Sequence, residues 1–412
     1  MKQLGSESGQ TLVIVALSMT MLLGFLAFAI DAGILLRQRR LAQIAADAAA
    51  VAGAAYLNPD NPTASTYTPT AALAAAAQNG FTNGSDGVTV TINGPTNGGP
   101  QYGAFGGNPH YVEAIVSQSE QTFFLNLVGS HFMTVTTRAV ATLGNSQNCI
   151  YALGSSGIVL NASNGTDLTA TSCGIIGNGN LSVVGGAHIN AQSIAVAGTS
   201  TINNGGSTSP TPATGIPPVS NPLSYLTPPT YSNCVNPPAG GNGAYANGVT
   251  LGPATAGGTV CYNYLNIANG ATNITLNPGV YVINGNFTLG GGVSVTGTGV
   301  TFYFPNNGDT INIANGVTLA LSAPTSGNLN GILFWQSSSD TSTISLEGGA
   351  NSNLQGVIYA PTAPLLVENG TGTNTYVDTI VQSLTIDGGA TLKNYDLLAG
   401  TSNPIKAVTL VE

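Results

Sequence analysis

A five-residue pattern recurs through the C-terminal two-thirds of this chain and narrows what it can fold into. It reads apolar, any residue, Asn or Gly, Gly, then a small or β-branched residue. The Gly falls at 165, 186, 205, 248, 270, 292, 316, 349, 370 and 389. Successive gaps are 21, 19, 43, 22, 22, 24, 33, 21 and 19, and the residue three before each Gly is apolar in all ten copies, from Ala162 to Ile386. A period near 21 with one tight turn per copy is the requirement of a parallel β-solenoid, in which each coil advances by one strand spacing and equivalent apolar residues stack inside. Asn-Gly and Gly-Gly supply the positive-φ corner between strands. Leucine-rich repeats share the period, but their Leu/Asn consensus and helical segment are missing. A sandwich would show turns every 8 to 12 residues without positional identity. The spacing therefore predicts a right-handed parallel β-helix over 149–412, with roughly eleven coils and some 50 Å of length.

Two gaps break the period. The 43-residue gap is expected to hide one unmarked coil and to hold a Pro-rich excursion over 207–240, an extended arm on the outside. The 33-residue gap contains GILFWQSSSDTST, read as an extra strand and loop.

Composition agrees with a turn-rich β architecture. Of 412 residues only 6% are charged and 55 are Gly, yet 42% are hydrophobic, enough for a large core. Net charge is -9, and three of the seven Lys and Arg cluster at Arg37, Arg39 and Arg40. No basic face remains to neutralise phosphates, which argues against nucleic acid as a partner. Four cysteines (Cys149, Cys173, Cys234, Cys261) without a CxxC fit two disulfides of an oxidising compartment, with three possible connectivities. The sequence-local choice, Cys149–Cys173 and Cys234–Cys261, is favoured over buried free thiols.

The N-terminus carries an uncharged apolar run, Leu12–Ile30, followed by Asp31, the arginine cluster and the stretch LAQIAADAAAVAGAA. As a helix the run is about 28 Å long, one hydrocarbon core. A cleaved signal peptide is the rival, with Ala27-Phe28-Ala29 as its cleavage pattern, but helical sequence continues straight through that point. The helix is expected to run to about Leu57, where Asn58-Pro59 stops it. Leu41, Ile44, Ala48, Val51 and Ala55 form a narrow packing stripe, and Ala45, Ala49 and Gly53 let another backbone approach closely. The stripe is expected to pack on this chain's own next domain, with helix-mediated self-association ranked second.

Gly9-Gln10, the apolar run, Asp31-Ala32-Gly33, the arginine cluster and Ala45-Ala46-Asp47-Ala48-Ala49-Ala50 together resemble the Tad-like segment of Flp pilus-assembly proteins, the TadE/TadG group. The resemblance covers about the first 57 residues. It departs from processed prepilins at Ile14, where those have Glu. It implies a bacterial inner-membrane anchor, a bulk that is periplasmic or at the cell surface, and the Tad/Flp pilus machinery as a partner. Counting Lys and Arg beside the apolar run, one before and three after, would instead place the bulk in the cytoplasm. The cysteines and the resemblance favour the exported orientation. GVTFYF, INIANGVTLALSAPTSGNLNGILFWQ and LQGVIYAP also resemble the repeat domain that follows Tad-like anchors in other bacterial surface proteins.

Residues 58–148 read as a small α+β, pilin-like unit. A short helix opens near Pro69 and ends at Asn79-Gly80, and GVTVTING, HYVEAIVSQS and HFMTVTTRAVATL alternate as strands. FFLNLVG looks like a short apolar helix, and NGPTNGGPQYGAFGGNP like an exposed hairpin connection.

Candidate chemistry is sparse. Glu347, Glu368 and Asp387 hold one position of the pattern in three consecutive coils, which would stack three carboxylates. Calcium binding or glycoside hydrolysis must be weighed there, but a solvated corner is favoured because no His, Arg or Lys neighbours them. Asp340-Thr341-Ser342-Thr343-Ile344 nearly spells DxSxS, yet Ile344 lacks the hydroxyl, so it reads as a loop. Asn-x-Ser/Thr triplets have a sufficient cause in turns and ladders. No P-loop, GxSxG, HExxH or dinucleotide fingerprint occurs, and the single Trp335, beside Phe334, reads as core. The sequence thus points to a membrane-anchored envelope protein of the Flp/Tad type, not an enzyme, displaying a β-helix for adhesion or scaffolding. A tethered polysaccharide-active enzyme and a filament subunit are the alternatives.

Overall fold

The computed structural model describes residues 8–57, 67–237, 247–347, 352–368, 372–394 and 404–412. The chain divides into two compact units, Met1–Gly144 with Ala407–Glu412, and Asn145–Lys406.

In the first unit, α1 (Ser8–Ala54) is one unbroken helix, and α2 (Thr70–Gln78) starts after Pro69 as expected. The α1 helix ends at Ala54, three residues before the expected Leu57, and Asn58-Pro59 lie outside the described residues. β1 (Val88–Asn93), β2 (Tyr111–Gln121) and β3 (Phe132–Asn145) pair antiparallel. A fourth strand, Lys406–Leu410, closes this sheet beside β3 after the chain returns from the second unit. FFLNLVG forms a single 3-10 turn, Leu125–Val128, at the tip of the β2–β3 hairpin.

The second unit is a parallel β-solenoid of about ten turns. The pattern does what its spacing requires. Gly165, Gly186, Gly205, Gly248, Gly270, Gly292, Gly316 and Gly389 all have φ between 71° and 84°. A Cβ on Gly292 would lie 3.7 Å from the Gly270 Cα, and one on Gly316 3.5 Å from the Gly292 nitrogen, so the corners stack directly. Gly349 and Gly370 lie outside the described residues. In the wider coils three strands surround an apolar centre, with Leu276 against Gly297, Tyr281 against Phe302 and Leu289 against Ile313 in neighbouring coils. Phe287, Phe302 and Phe334 stack there, with ring centroids 5.2 Å apart between successive coils.

Coils do not stack in sequence order. Asn148–Ala152 and Ile158–Ala162 begin in the middle of the stack, and the chain winds outward through Asp167–Gly177 and His188–Val196 to the short strands Ser207–Ser209 and Ala213–Thr214. It crosses to the opposite end, restarts at Thr250–Leu251, and winds back inward to Gly372–Ile386. That strand pairs with the first coil, Thr379 against Ile150 and Leu384 against Leu160. The reason is topological. The solenoid is inserted between β3 and the C-terminal strand, which belong to one sheet, so both ends of the insert must lie close together. The Ser146 N–H donates to the Ile405 carbonyl at 3.0 Å, where the two ends meet. Ten coils in sequence order would separate those ends by about 43 Å.

The 43-residue gap therefore holds a partial end coil and a strap. The strap follows one outer face, where Tyr151, Tyr303, Trp335 and Tyr359 line up outside the main core and are buried with Leu223 beneath it. Val219 exchanges two hydrogen bonds with Asn178, the Asn221 amide donates to the Tyr359 hydroxyl at 2.8 Å, and Tyr231 meets Tyr303 edge-on. The strap ends at the Cys234–Cys261 disulfide, and Val235 adds a bridge to Tyr262 that covers part of an outermost strand. Trp335 thus belongs to this outer layer. GILFWQ is no extra strand: Ile332–Gln336 occupies the ordinary middle-strand position of its coil. Ile202, expected inside, is exposed because it sits in an outer coil with one neighbour.

Candidate functional site

Alanine dominates the buried face of α1. Ala42, Ala45, Ala46, Ala49, Ala50 and Ala54 are fully buried against Val112, Ala114, Val116, Ala139 and Ala141. A Cβ on Gly53 would come within 2.8 Å of Val112 Cγ1 and 2.9 Å of the Tyr67 hydroxyl, so only glycine fits. This corrects the expected packing stripe. Leu41, Ile44, Val51 and Ala55 face outward, because a helix laid closely on a sheet needs small side chains at the contact and turns its larger ones away. The helix does pack on its own domain, through the small residues.

Three polar contacts run down the helix. The Gln43 amide donates to the Arg138 carbonyl at 3.0 Å and the Gln38 amide to Gln118 Oε1 at 2.6 Å. The buried Asp31 carboxylate accepts from the backbone N–H groups of Phe123, Phe124 and Leu125 at 3.1, 2.9 and 2.7 Å. A side chain at the end of the apolar run thus caps the 3-10 turn at the hairpin tip.

Farther along the sheet, buried Glu113 accepts from Asn93 at 2.7 Å and from the Gln101 N–H at 2.9 Å, and pairs with Arg138, which also reaches Glu412 at 2.5 Å. Burial raises the Glu113 carboxyl, but the bonds from Gln101, Arg138 and Asn93 and the Arg138 charge outweigh it, leaving the group below its ordinary value. Burial pushes the Tyr67 hydroxyl up to about 12. Residue spacing gave no hint of this cluster, whose members are scattered over the chain. The alternation of β2 places Glu113 between apolar neighbours, the one available signal.

Leu346, Val367 and Ile386 stand in register, so Glu347, Glu368 and Asp387 follow one another up the stack. Glu347 accepts from the Asn312 amide at 3.1 Å. Asp387 accepts from Ser163, Asn164 and the Gly388 N–H, at 3.0, 2.6 and 2.8 Å, and these bonds lower its carboxyl despite burial. Among the described residues, no group of three or more His, Cys, Asp or Glu assembles in a way that could hold a metal ion. Asp340 is buried in a loop, where it accepts from the Ser342 N–H at 2.9 Å. Burial and the Asp340 charge raise the Asp309 carboxyl. A shallow groove outside the far coils is lined by Asn266, Thr288 and Asn312; the Thr288 hydroxyl donates to Asn266 Oδ1 at 2.7 Å and the Asn312 amide to Glu347 at 3.1 Å.

Cys149 and Cys173 join the first two coils, and Cys234 and Cys261 fasten the strap. Among the described residues, α1 is the one helix long and apolar enough to cross a membrane, and its apolar half is exposed.

No curated protein and no solved structure matches the chain. Residues 9–55 match the family model described as putative Flp pilus-assembly TadE/G-like. The chain thus joins a Tad-like segment, coextensive with its long helix, to a β-solenoid.

Proposed function

We propose that this is a bacterial cell-envelope protein of the Flp/Tad pilus-assembly type, anchored in the inner membrane by α1 and presenting its solenoid for adhesion or scaffolding. The observation that carries this reading is the division of α1. Its first half is apolar and uncovered, and its second half is the alanine face of a folded domain. The two disulfides support a periplasmic or surface position for the bulk, against the arginine count. In the carboxylate column, Asn312 engages Glu347, and Ser163, Asn164 and the Gly388 N–H engage Asp387, which supports a structural role over catalysis there.

Fusing alkaline phosphatase or a fluorescent protein to Glu412 tests the orientation. An active phosphatase and a dark fluorescent fusion are expected, and the reverse pair overturns the exported reading. Release of reducing sugar from a glycan, abolished by Glu368→Ala, would replace scaffolding by the enzyme alternative.

Self-association through α1 is a second reading, favoured by the outward Leu41, Ile44 and Val51. Ile44→Cys is expected to cross-link to itself in membranes if helices pair there. Failure to cross-link at positions 41, 44 and 51 alike removes it.

A further inference from the structure

Beside the apolar run of α1 lies a second exposed apolar surface, the tip of the β2–β3 hairpin. Phe123 and Phe132 are each 64% exposed, Phe124 43% and Met133 42%. Between Gln121 and Met133 there is no Asp, Glu, Lys or Arg. Asp31 fixes the height of this tip. It is the first charged residue after the uncharged run Leu12–Ile30, so in a helix that crosses a bilayer it stands at the edge of the hydrocarbon. Its carboxylate holds the N–H groups of Phe123, Phe124 and Leu125 within 3.1 Å, which brings the phenylalanines to the same level.

Exposed Arg37, Arg39 and Arg40 follow at about 9 to 14 Å along the helix, just beyond a headgroup layer about 5–8 Å thick, which long arginine side chains reach by bending back toward it. Farther up the same sheet the surface changes character. Glu113 lies about 27 Å from the tip along β2, and Arg138 about 20 Å from it along β3. Apolar surface, absence of charge and flanking arginines thus converge on one edge of the unit, continuous with the apolar helix.

We propose that this hairpin tip is a second membrane contact, in which Phe123, Phe124, Phe132 and Met133 enter the interfacial layer of the bilayer beside α1. Asp31 then acts as a bracket. It satisfies three backbone donors that would otherwise face lipid, and it locks the folded domain to the helix at a fixed depth. The domain is held by two points instead of swinging on a single helix. This inference rests on α1 being a membrane anchor.

The test is site-directed spin labelling of the full chain in phosphatidylcholine–phosphatidylglycerol vesicles. The native cysteines are disulfide-bonded, so an introduced thiol is the labelling site. Labels go on Phe123→Cys, Phe132→Cys, Leu22→Cys in the apolar run, and Tyr102→Cys at the far end of the sheet. Ser130→Cys reads the tip with every phenylalanine in place, should the other substitutions disturb it. Relaxation by oxygen, which concentrates in lipid, is compared with relaxation by a water-soluble nickel chelate.

The tip labels are expected to favour oxygen several-fold over the chelate, between the deep value at 22 and the aqueous value at 102. Tip labels matching 102 while 22 reads deep would overturn the bracket and leave the anchor standing. An aqueous reading at 22 would overturn both. Tip labels shielded from both reagents would mean a protein contact, and would also overturn it.

Discussion

A carboxylate sealed inside a small domain is stable only while its charge is matched, and Glu113 meets that condition with Arg138, Asn93 and the Gln101 N–H. Because its folded value is depressed, the stability it contributes is present above the ordinary carboxylate value, about 4.3. That stability is lost as pH falls through the lower folded value. Thermal unfolding of the native chain and of Glu113→Gln should therefore differ most at neutral pH and converge in acid. Glu113→Ala should cost about 1–3 kcal/mol at pH 7, since it leaves the Asn93 amide and the Gln101 N–H without their acceptor, while Arg138 keeps Glu412. At the solenoid corners, Gly292 has φ 77°, and Gly292→Ala should cost about 1–2 kcal/mol without abolishing folding, measured by denaturant titration. The two residues differ in legibility. A positive-φ glycine announces itself through repetition, whereas a salt bridge between residues 113 and 138 leaves no periodic trace.

Elements were legible where their period is set by the backbone, and misjudged where a partner chooses the face. Strands β1–β3, α2 and the long helix follow alternation, Pro69 and the apolar run. The three-four spacing of Leu41, Ile44, Ala48, Val51 and Ala55 points to one face of α1, yet close contact with a sheet selects the neighbouring alanine face. Asp31 could be quoted as part of a motif, but its role needs the hairpin that folds back to it. Asp31→Ala should release three amides at the tip, and hydrogen exchange at Phe123–Leu125 should accelerate markedly while β2 stays protected. The strap is fastened by Cys234–Cys261, which are 27 positions apart, so Cys261→Ser should lower stability by about 3–4 kcal/mol and open 215–237 to proteolysis.

For the molecule as a whole, the solenoid could be read from ten glycines, but the order of its coils could not. Parallel pairing obeys the same local rules whichever coil lies next, so nothing in the repeat tells that Gly372–Ile386 covers Asn148–Ala152. The missing signal is the alternating KAVTLVE at the C-terminus, which returns the chain to the sheet of β3 and forces the ends of the insert together. A chain ending at Val367 should consequently leave the edges of both halves open and self-associate, visible as high-mass species in size-exclusion chromatography. Timing follows from the same closure. Ile150 waits for Thr379, 229 residues later, to emerge from the ribosome. At roughly 5–20 residues per second that is a delay of about ten seconds or more. Throughout it the nascent half-rod offers an unpaired strand to every neighbouring copy, so a holding chaperone or an unfolded passage through the translocon becomes a condition of its biogenesis.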